Sequence, residues 1–529
     1  MTEVSASGTA VVRPSPPRRS AKIAAGVLLV VCTLAVRVPG ALHDALWQDE
    51  IGTERVISQP TLSDAIHTVV DRESTPPAFF LLARSTDRAV HGLAPASRAR
   101  AVRALSLAAS AGCTALTFLL ACELLPLWAA ALAGLLASFA SILVVHGSEL
   151  RSYSLLPFAC VAFALSLERA AARPSFIRLV LVSGAVALGS LTHYFFLFTF
   201  AAGLLWLVVS RLPRGTIARV SAALAIGLVP LAVWSPSWLR QYQHGIYGTA
   251  PRPFNLGRVL DLFPSLLAPQ PLVNDMSLVT HSVVSVGAPV PVVVTLAVLL
   301  PAALLVRRRE GRLCGLFVLV PFLLVTGLVT VTGDRVYSSR NLIGVAPFAA
   351  IALAWACASL PWRRTAYTAG ILVSGLVVAG FAYAQVDFGR TPYDRIAETM
   401  LTQGFRPDEP ILWFGNWGGH LPVAWYLTST EPPNTWPRLV SARPTSGTCR
   451  ALEVVARTEA GRQWLAEHKA DIVAEASLPS FGDVVQAQRG PDIVVARLRW
   501  SKGILDRPAG APNWFLLREP GSLSACARS

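Results

Sequence analysis

The stretch "LWQDEIGTERV", Leu46–Val56, sets two carboxylates side by side, Asp49 and Glu50, just after the first long apolar run and next to Trp47. A carboxylate so placed can act as a general base on a hydroxyl. Three more polar islands interrupt the apolar chain. "HGSELRSYSLL" (146–156) supplies Glu149, Arg151 and Tyr153, and "LTHYFFLF" (191–198) supplies His193 and Tyr194. "TGDRVYSSRNLIGVAPFAAIAL" (332–353) supplies Arg335, Tyr337 and Arg340. Arginine suits bidentate recognition of phosphate. The set therefore offers a base for a hydroxyl nucleophile and cations for a phosphate. Each member also has a plainer reading. Asp44, Glu54, Asp64, Asp71, Glu73 and Asp87 share the Asp49–Glu50 segment, and acids are ordinary in a solvated loop. Glu149 and Arg151 can be a cap or an ion pair, and a lone His193 can be a hydrogen-bonded interface residue. Position argues for function, because ionisable groups at a bilayer are costly unless water or a partner satisfies them.

The elements that must position these residues are membrane helices. The chain has 529 residues, is 53% hydrophobic and 15% charged, and has a mean hydropathy of +0.51. Soluble domains carry about 25% charged residues. Eleven stretches are apolar over lengths near the roughly 20 residues that span a bilayer: about 23–42, 100–121, 127–146, 152–168, 176–192, 194–210, 217–234, 285–306, 313–331, 341–360 and 365–385. The first begins with basic residues like a secretory signal, but it runs on to Leu42 and more spans follow, so an uncleaved helix is expected.

Net charge is +15. Its distribution excludes nucleic acid as the natural partner, since the arginines lie between apolar runs and no basic nucleic-acid motif occurs. With the N-terminus inside, the loops 211–216, 307–312 and 361–364 are cytoplasmic, and these are the Arg-rich ones, as the positive-inside pattern requires. The loops 43–99, 147–151, 235–284 and 332–340, and everything after about 386, are then outside. Within 43–99, "TLSDAIHTVV" (61–70) reads as a short helix with Thr61 or Ser63 as its N-cap. The segment 76–91 reads as another, lying on the membrane surface rather than crossing it.

Three regions follow: a disordered cytoplasmic tail over 1–22, a transmembrane domain over 23–385 with the loop 43–99, and an extracytoplasmic α/β domain over 386–529. In the last, "EPILWF" (409–414) and "PDIVVARLRW" (491–500) read as strands, and "RIAETMLTQG" and "TEAGRQWLAEHK" as helices. "GNWGGH" (415–420) lacks dinucleotide-fingerprint spacing and reads as turn glycines. Six of the eight cysteines lie in or beside apolar runs. The remaining two, Cys449 and Cys526, are candidates for one disulfide in an exported domain. No His/Cys spacing suggests a metal site.

The order and wording of "WQDE", "TPPAFFLL", "ELRSYSLL", "THYFFLF" and "SSRNLIGVAPF", spread over about 23–360, resemble the GT-C membrane glycosyltransferases, in particular glycosyltransferase family 39, which includes protein O-mannosyltransferases and the aminoarabinose transferase acting on lipid A. The chain departs from many members in having Thr75 rather than His before Pro76–Pro77, and "ELRSY" in place of "EARPY". The resemblance implies a plasma-membrane enzyme moving a sugar, with inversion, from a polyprenyl-phosphate donor to a hydroxyl of a glycan, lipid or protein on the outer face. It implies Asp49 as base, with Glu50 positioning the acceptor or orienting an arginine. Arg151 and Arg340, with Arg335 and His193, would hold the donor phosphate. Glu149, Tyr153, Tyr194 and Tyr337 would line the substrate site. No cofactor is required; a divalent metal is compatible, but nothing in the sequence indicates one. A transporter or flippase, which wants ionisable groups near mid-membrane, and a non-catalytic envelope assembly protein are the rival readings.

Overall fold

A computed structural model describes residues 19–243, 259–260, 262–267, 289–332 and 339–387, five strands, and positions 393–394, 397, 422 and 425–426. Arg335, Tyr337, Cys449, Cys526, the N-terminal tail to residue 18, "GNWGGH" and the helix expected over 458–469 lie outside the described residues, as does nearly all of 395–404. The eleven expected spans each contain an apolar helix. Six of the described helices are long and apolar enough to cross a membrane and five more are shorter, so the chain is a multi-pass membrane protein.

Helix α1, Arg19–His43, shows how a lipid solvent shapes the pattern. Ile23, Val27, Leu28 and Val31 are exposed, while Thr33 and Arg37 point inward and are buried. The polar face is the inner one, because lipid accepts apolar side chains and cannot satisfy polar ones. Three short helices follow. They are α2, Gln48–Ile57, α3, Leu62–Arg72, and α4, Ala78–Ala89. At 10, 11 and 12 residues none spans a bilayer, as expected for 61–70 and 76–91. Thr61 is the N-cap of α3: its hydroxyl accepts from the Asp64 N–H at 3.1 Å, and its own N–H reaches the Asp64 carboxylate at 3.3 Å. Then come α5, Pro95–Val102, and α6, Ala104–Leu124, which starts the second span.

The third span is not one helix. It breaks at Ala140 into α7, Leu127–Phe139, and α8, Ser141–Val145. Arg37 explains the break. Its guanidinium donates to the carbonyls of Leu143 at 2.9 Å, Ser138 at 2.8 Å, Ala137 at 3.2 Å and Thr33 at 3.3 Å. It thus satisfies acceptors that a helix end would otherwise leave orphaned. A Cβ on Gly147 would collide with the Leu143 carbonyl and with Arg37 Nε, so glycine alone fits where the chain turns back toward the site.

The bundle continues through α9, Leu155–Ala172, α10, Phe176–Thr192, α11, Phe196–Val209, and α12, Arg214–Gln243. A short α13, Leu262–Leu267, precedes α14, Pro289–Arg307, and α15, Arg312–Thr332. A 3-10 turn, Ser339–Val345, leads into α16, Ala346–Ala358, and α17, Arg363–Asp387, follows. The main core runs through Phe118, Phe163, Phe196, Phe317 and Phe348. The 30 residues of α12 reach about 45 Å, longer than the roughly 30 Å hydrocarbon layer. Its last turns leave the bundle and pack against α3.

Beyond the bundle the described strands are β1, Leu412–Phe414, β2, Ala451–Val455, β3, Val484–Arg489, β4, Ile493–Leu498, and β5, Asn513–Arg518. They form one sheet in the order β1-β2-β5-β4-β3, with β1 and β2 parallel and the other pairs antiparallel. The strands expected over 409–414 and 491–500 are β1 and β4.

Candidate functional site

Asp49 and Glu50 occupy the first turn of α2, where carboxylates favour the positive end of the helix dipole. Their fates then diverge. Glu50 is completely buried and takes a fork-on-fork grip from Arg103: Nε to Oε1 at 2.8 Å and Nη2 to Oε2 at 2.6 Å, both side chains 0% exposed. The Leu150 N–H adds a bond to Oε1 at 2.6 Å, and the Trp47 N–H one to Oε2 at 3.3 Å. Arg103 Nη1 also donates to the Ala41 and Asp44 carbonyls at 3.1 and 2.8 Å, and Nη2 to the Ala45 carbonyl at 3.3 Å. Glu50 is thus the knot that ties α1, α2, α6 and the 146–154 segment together. It orients an arginine and is closed to substrate.

Asp49 faces the other way. Its side chain is 19% exposed, and Oδ2 meets Arg340 Nη1 at 3.0 Å, with Arg340 34% exposed. The guanidinium of Arg340 lies 5.6 Å over the Tyr153 ring. Residues 291 positions apart in the chain therefore form one open carboxylate–guanidinium pair at the end of the bundle.

Arg151 sits behind this pair. Its Nη1 donates to the Asp49 carbonyl at 3.1 Å, to Thr53 at 3.3 Å and to Glu73 Oε2 at 3.0 Å, and its Nε is buried with no partner among the described residues. Burial alone would weaken its hold on the proton. Glu73, Asp49 and Tyr153 more than offset that, and the net direction is upward. Glu73 can reach α2 because residue 52 is glycine: a Cβ there would stand 2.8 Å from Glu73 Oε1.

His193 and Tyr153 complete the wall. Their rings are 5.9 Å apart, and the His146 ring lies 4.9 Å from that of Tyr153, tilted against it. Burial, then the charges of Arg151 and Arg340, push the His193 imidazole down to about 3, so it is neutral at physiological pH. Its Nδ1 accepts from the Phe195 N–H at 3.3 Å, which leaves the hydrogen on Nε2. A neutral donor, not a cation, is what His193 offers. Glu149 is buried against His146 Nδ1 at 2.7 Å.

Tyr194 is drawn elsewhere. Its hydroxyl donates to Gln241 at 2.6 Å and accepts from Trp234 Nε1 at 2.9 Å, while its ring stacks on Trp238 at 4.8 Å. Gln241 in turn donates to the carbonyls of Val69 at 2.9 Å and Thr75 at 3.3 Å. Tyr194 thus anchors the projecting end of α12, which holds α3 and the turn before Pro76–Pro77.

Of the sequence-predicted set, Asp49, Arg340, Arg151, Tyr153, His193 and Glu149 gather at this end of the bundle, with Glu50 buried beneath them. Sequence reasoning did not single out Glu73 and did not see Arg103. Glu73 carried a signal, an acid just before a double proline in "DRESTPP". Arg98, Arg100 and Arg103 carried another, because they share the acids' side against the positive-inside pattern. Among the described residues no cluster of His, Cys, Asp and Glu could hold a metal.

No family model and no curated protein matches the chain. Solved structures do. ArnT from Cupriavidus metallidurans in the apo state aligns with a TM-score of 0.50 at 12% identity, over 84% of this chain and 88% of that one. The same protein bound to undecaprenyl phosphate aligns with a TM-score of 0.50 at 11% identity, over 85% and 88%. The archaeal oligosaccharyltransferase AglB from Archaeoglobus fulgidus, in complex with an inhibitory peptide and a dolichol-phosphate, aligns at 0.45 and 11% over 81% and 62%, a likeness too loose to argue from. At such identities the likeness speaks for the fold alone, and the fold is GT-C.

Proposed function

We propose that the protein is an inverting glycosyltransferase that moves a sugar from a polyprenyl-phosphate donor to a hydroxyl acceptor on the outer face of the plasma membrane. The observation that carries this reading is the open Asp49–Arg340 pair, a base and a phosphate ligand in direct contact at 3.0 Å. A similar fold has been solved with undecaprenyl phosphate bound, which supports a lipid phosphate as the donor's carrier.

In this reading the donor phosphate competes with Asp49 for Arg340, and its binding draws the guanidinium away and releases the carboxylate. The acceptor hydroxyl, its proton passing to Asp49, attacks the anomeric carbon from the face opposite the phosphate. The bond from that carbon to the phosphate oxygen breaks, and polyprenyl phosphate leaves with the electron pair. Charge grows on the phosphate as the bond breaks, so the guanidinium of Arg340, once engaged on the phosphate, stabilises the transition state more than the ground state. Arg151 contributes its charge from behind and fixes the Asp49 peptide. The neutral His193 contributes a hydrogen-bond donor, and Tyr153 and Glu149 shape the wall. Tyr194 belongs to the scaffold. The acceptor is a hydroxyl of a glycan, lipid or protein.

The test is a panel of polyprenyl-phosphate sugars offered to the reconstituted protein. Consumption of one of them, with release of polyprenyl phosphate and a product of inverted anomeric configuration, is the expected result. Movement of a lipid-linked sugar between leaflets without bond cleavage would establish the transporter reading instead.

A further inference from the structure

The turn from α1 into α2 is gripped from two sides. Arg103 binds its carbonyls. The Leu46 N–H, on a residue 1% exposed, is bound by the hydroxyl of Tyr426 at 2.8 Å. Tyr426 lies 380 positions away, beyond the last membrane helix. Its neighbour Trp425 is buried against Leu46, Ile51 and Ala99. A third contact anchors the same part of the chain, as Asp394 pairs with Arg100 on α5 at 3.1 Å. Burial pushes the Tyr426 phenol up to about 12, so it stays protonated and has a lone pair for the Leu46 N–H.

We propose that the segment following the last membrane helix positions the catalytic loop, with Tyr426 and Trp425 as positioning residues that hold the α1–α2 turn and so aim Asp49. This rests on the glycosyl-transfer reading for the identity of Asp49 as base, though not for the grip itself. Three features carry it. Leu46 stands only three positions before Asp49. The Leu46 N–H precedes the helix, so no α2 carbonyl can satisfy it, and a buried N–H without an acceptor is unstable. Finally, Ile51 on α2 and Ala99 on α5 both pack on Trp425, which wedges the helix against the arginine-bearing element that secures Glu50. Arg103 fixes where α2 starts, and the tail fixes the direction from which it starts.

The test uses the full-length protein with Tyr426→Phe, which keeps the ring and removes the acceptor, and with Trp425→Ala. Amide exchange of peptides covering 44–52 should accelerate by about tenfold or more in each variant, while peptides in α9 and α10 exchange as in the wild type. With a donor that the wild type consumes, kcat should fall by about tenfold while the donor KM does not rise, because Arg340 itself is not held by this contact and a loosened Asp49 competes less for it. Unchanged exchange over 44–52 overturns the grip. Faster exchange with unchanged kcat overturns the positioning role. If the wild type consumes no donor at all, that failure belongs to the glycosyl-transfer reading, and the exchange measurement alone decides the grip.

Discussion

Replacing Glu50 by Gln removes one charge from a pair whose two side chains are both 0% exposed. Arg103 would then be a buried cation held only by backbone carbonyls and an amide. Breaking a buried pair from one side costs about 3–5 kcal/mol. Much of that is the penalty of the stranded charge, so Glu50→Gln together with Arg103→Met should be milder than either single change. The cost falls on the local opening of α2, because the pair holds α2 to α6 and to the Leu150 amide. At about 1.4 kcal/mol per tenfold, the open population of the 43–60 segment rises by roughly a hundredfold to a few thousandfold. Proteolysis follows that population when reclosing outruns cleavage, so limited digestion with a protease cutting within 43–60 reads it directly. The double-mutant cycle should return a coupling of about 2 kcal/mol or more. Wild-type digestion rates in Glu50→Gln, or additive effects in the double variant, would refute the assignment of Glu50 as a structural knot.

Other consequences follow from the same geometry. Arg340→Gln should weaken donor binding by about 10- to 150-fold, the equivalent of one charge-assisted hydrogen bond of about 1.5–3 kcal/mol, measured by titrating a polyprenyl-phosphate sugar. Gly147→Ala should disrupt the turn held by Arg37 and lower thermal stability in detergent, because its Cβ has no room. Glu54 is buried, has Oε1 without a partner among the described residues, and titrates at about 8 rather than 4.5, driven by burial and then by Asp87. With the folded value raised, its support for the closed loop is full below pH 4.5 and is lost as pH rises to about 8. Glu54→Gln should abolish that dependence in pH-resolved proteolysis of the first loop.

The membrane helices were legible because lipid imposes long apolar runs. The start of α3 was legible as Thr61 or Ser63, and the structure makes Thr61 the N-cap, with Asp64 closing the box. The break at Ala140 was not legible. It depends on Arg37, about a hundred positions away, and the local sequence there is as apolar as in an unbroken helix. The candidate site was legible in its parts and hidden in its pairings. Asp49 and Glu50 are adjacent and chemically alike, yet one meets Arg340 and the other Arg103. Which carboxylate faces the opening follows from the 100° step between successive residues of a helix and from which arginine waits on each side, and only the packed bundle supplies the second fact. Tyr194 shows the converse. An aromatic at the end of a span looks like a substrate contact until the long α12 brings Gln241 and Trp234 to its hydroxyl.

The proposed chemistry turns on Asp49 as the base. The most direct measurement compares Asp49→Asn with the wild type in single-turnover transfer from a consumed polyprenyl-phosphate sugar, with donor binding titrated on the same preparations. Transfer should fall by at least about a hundredfold, within the range that removal of a general base produces, while the donor still binds because Arg340 remains. Full transfer by Asp49→Asn would contradict it.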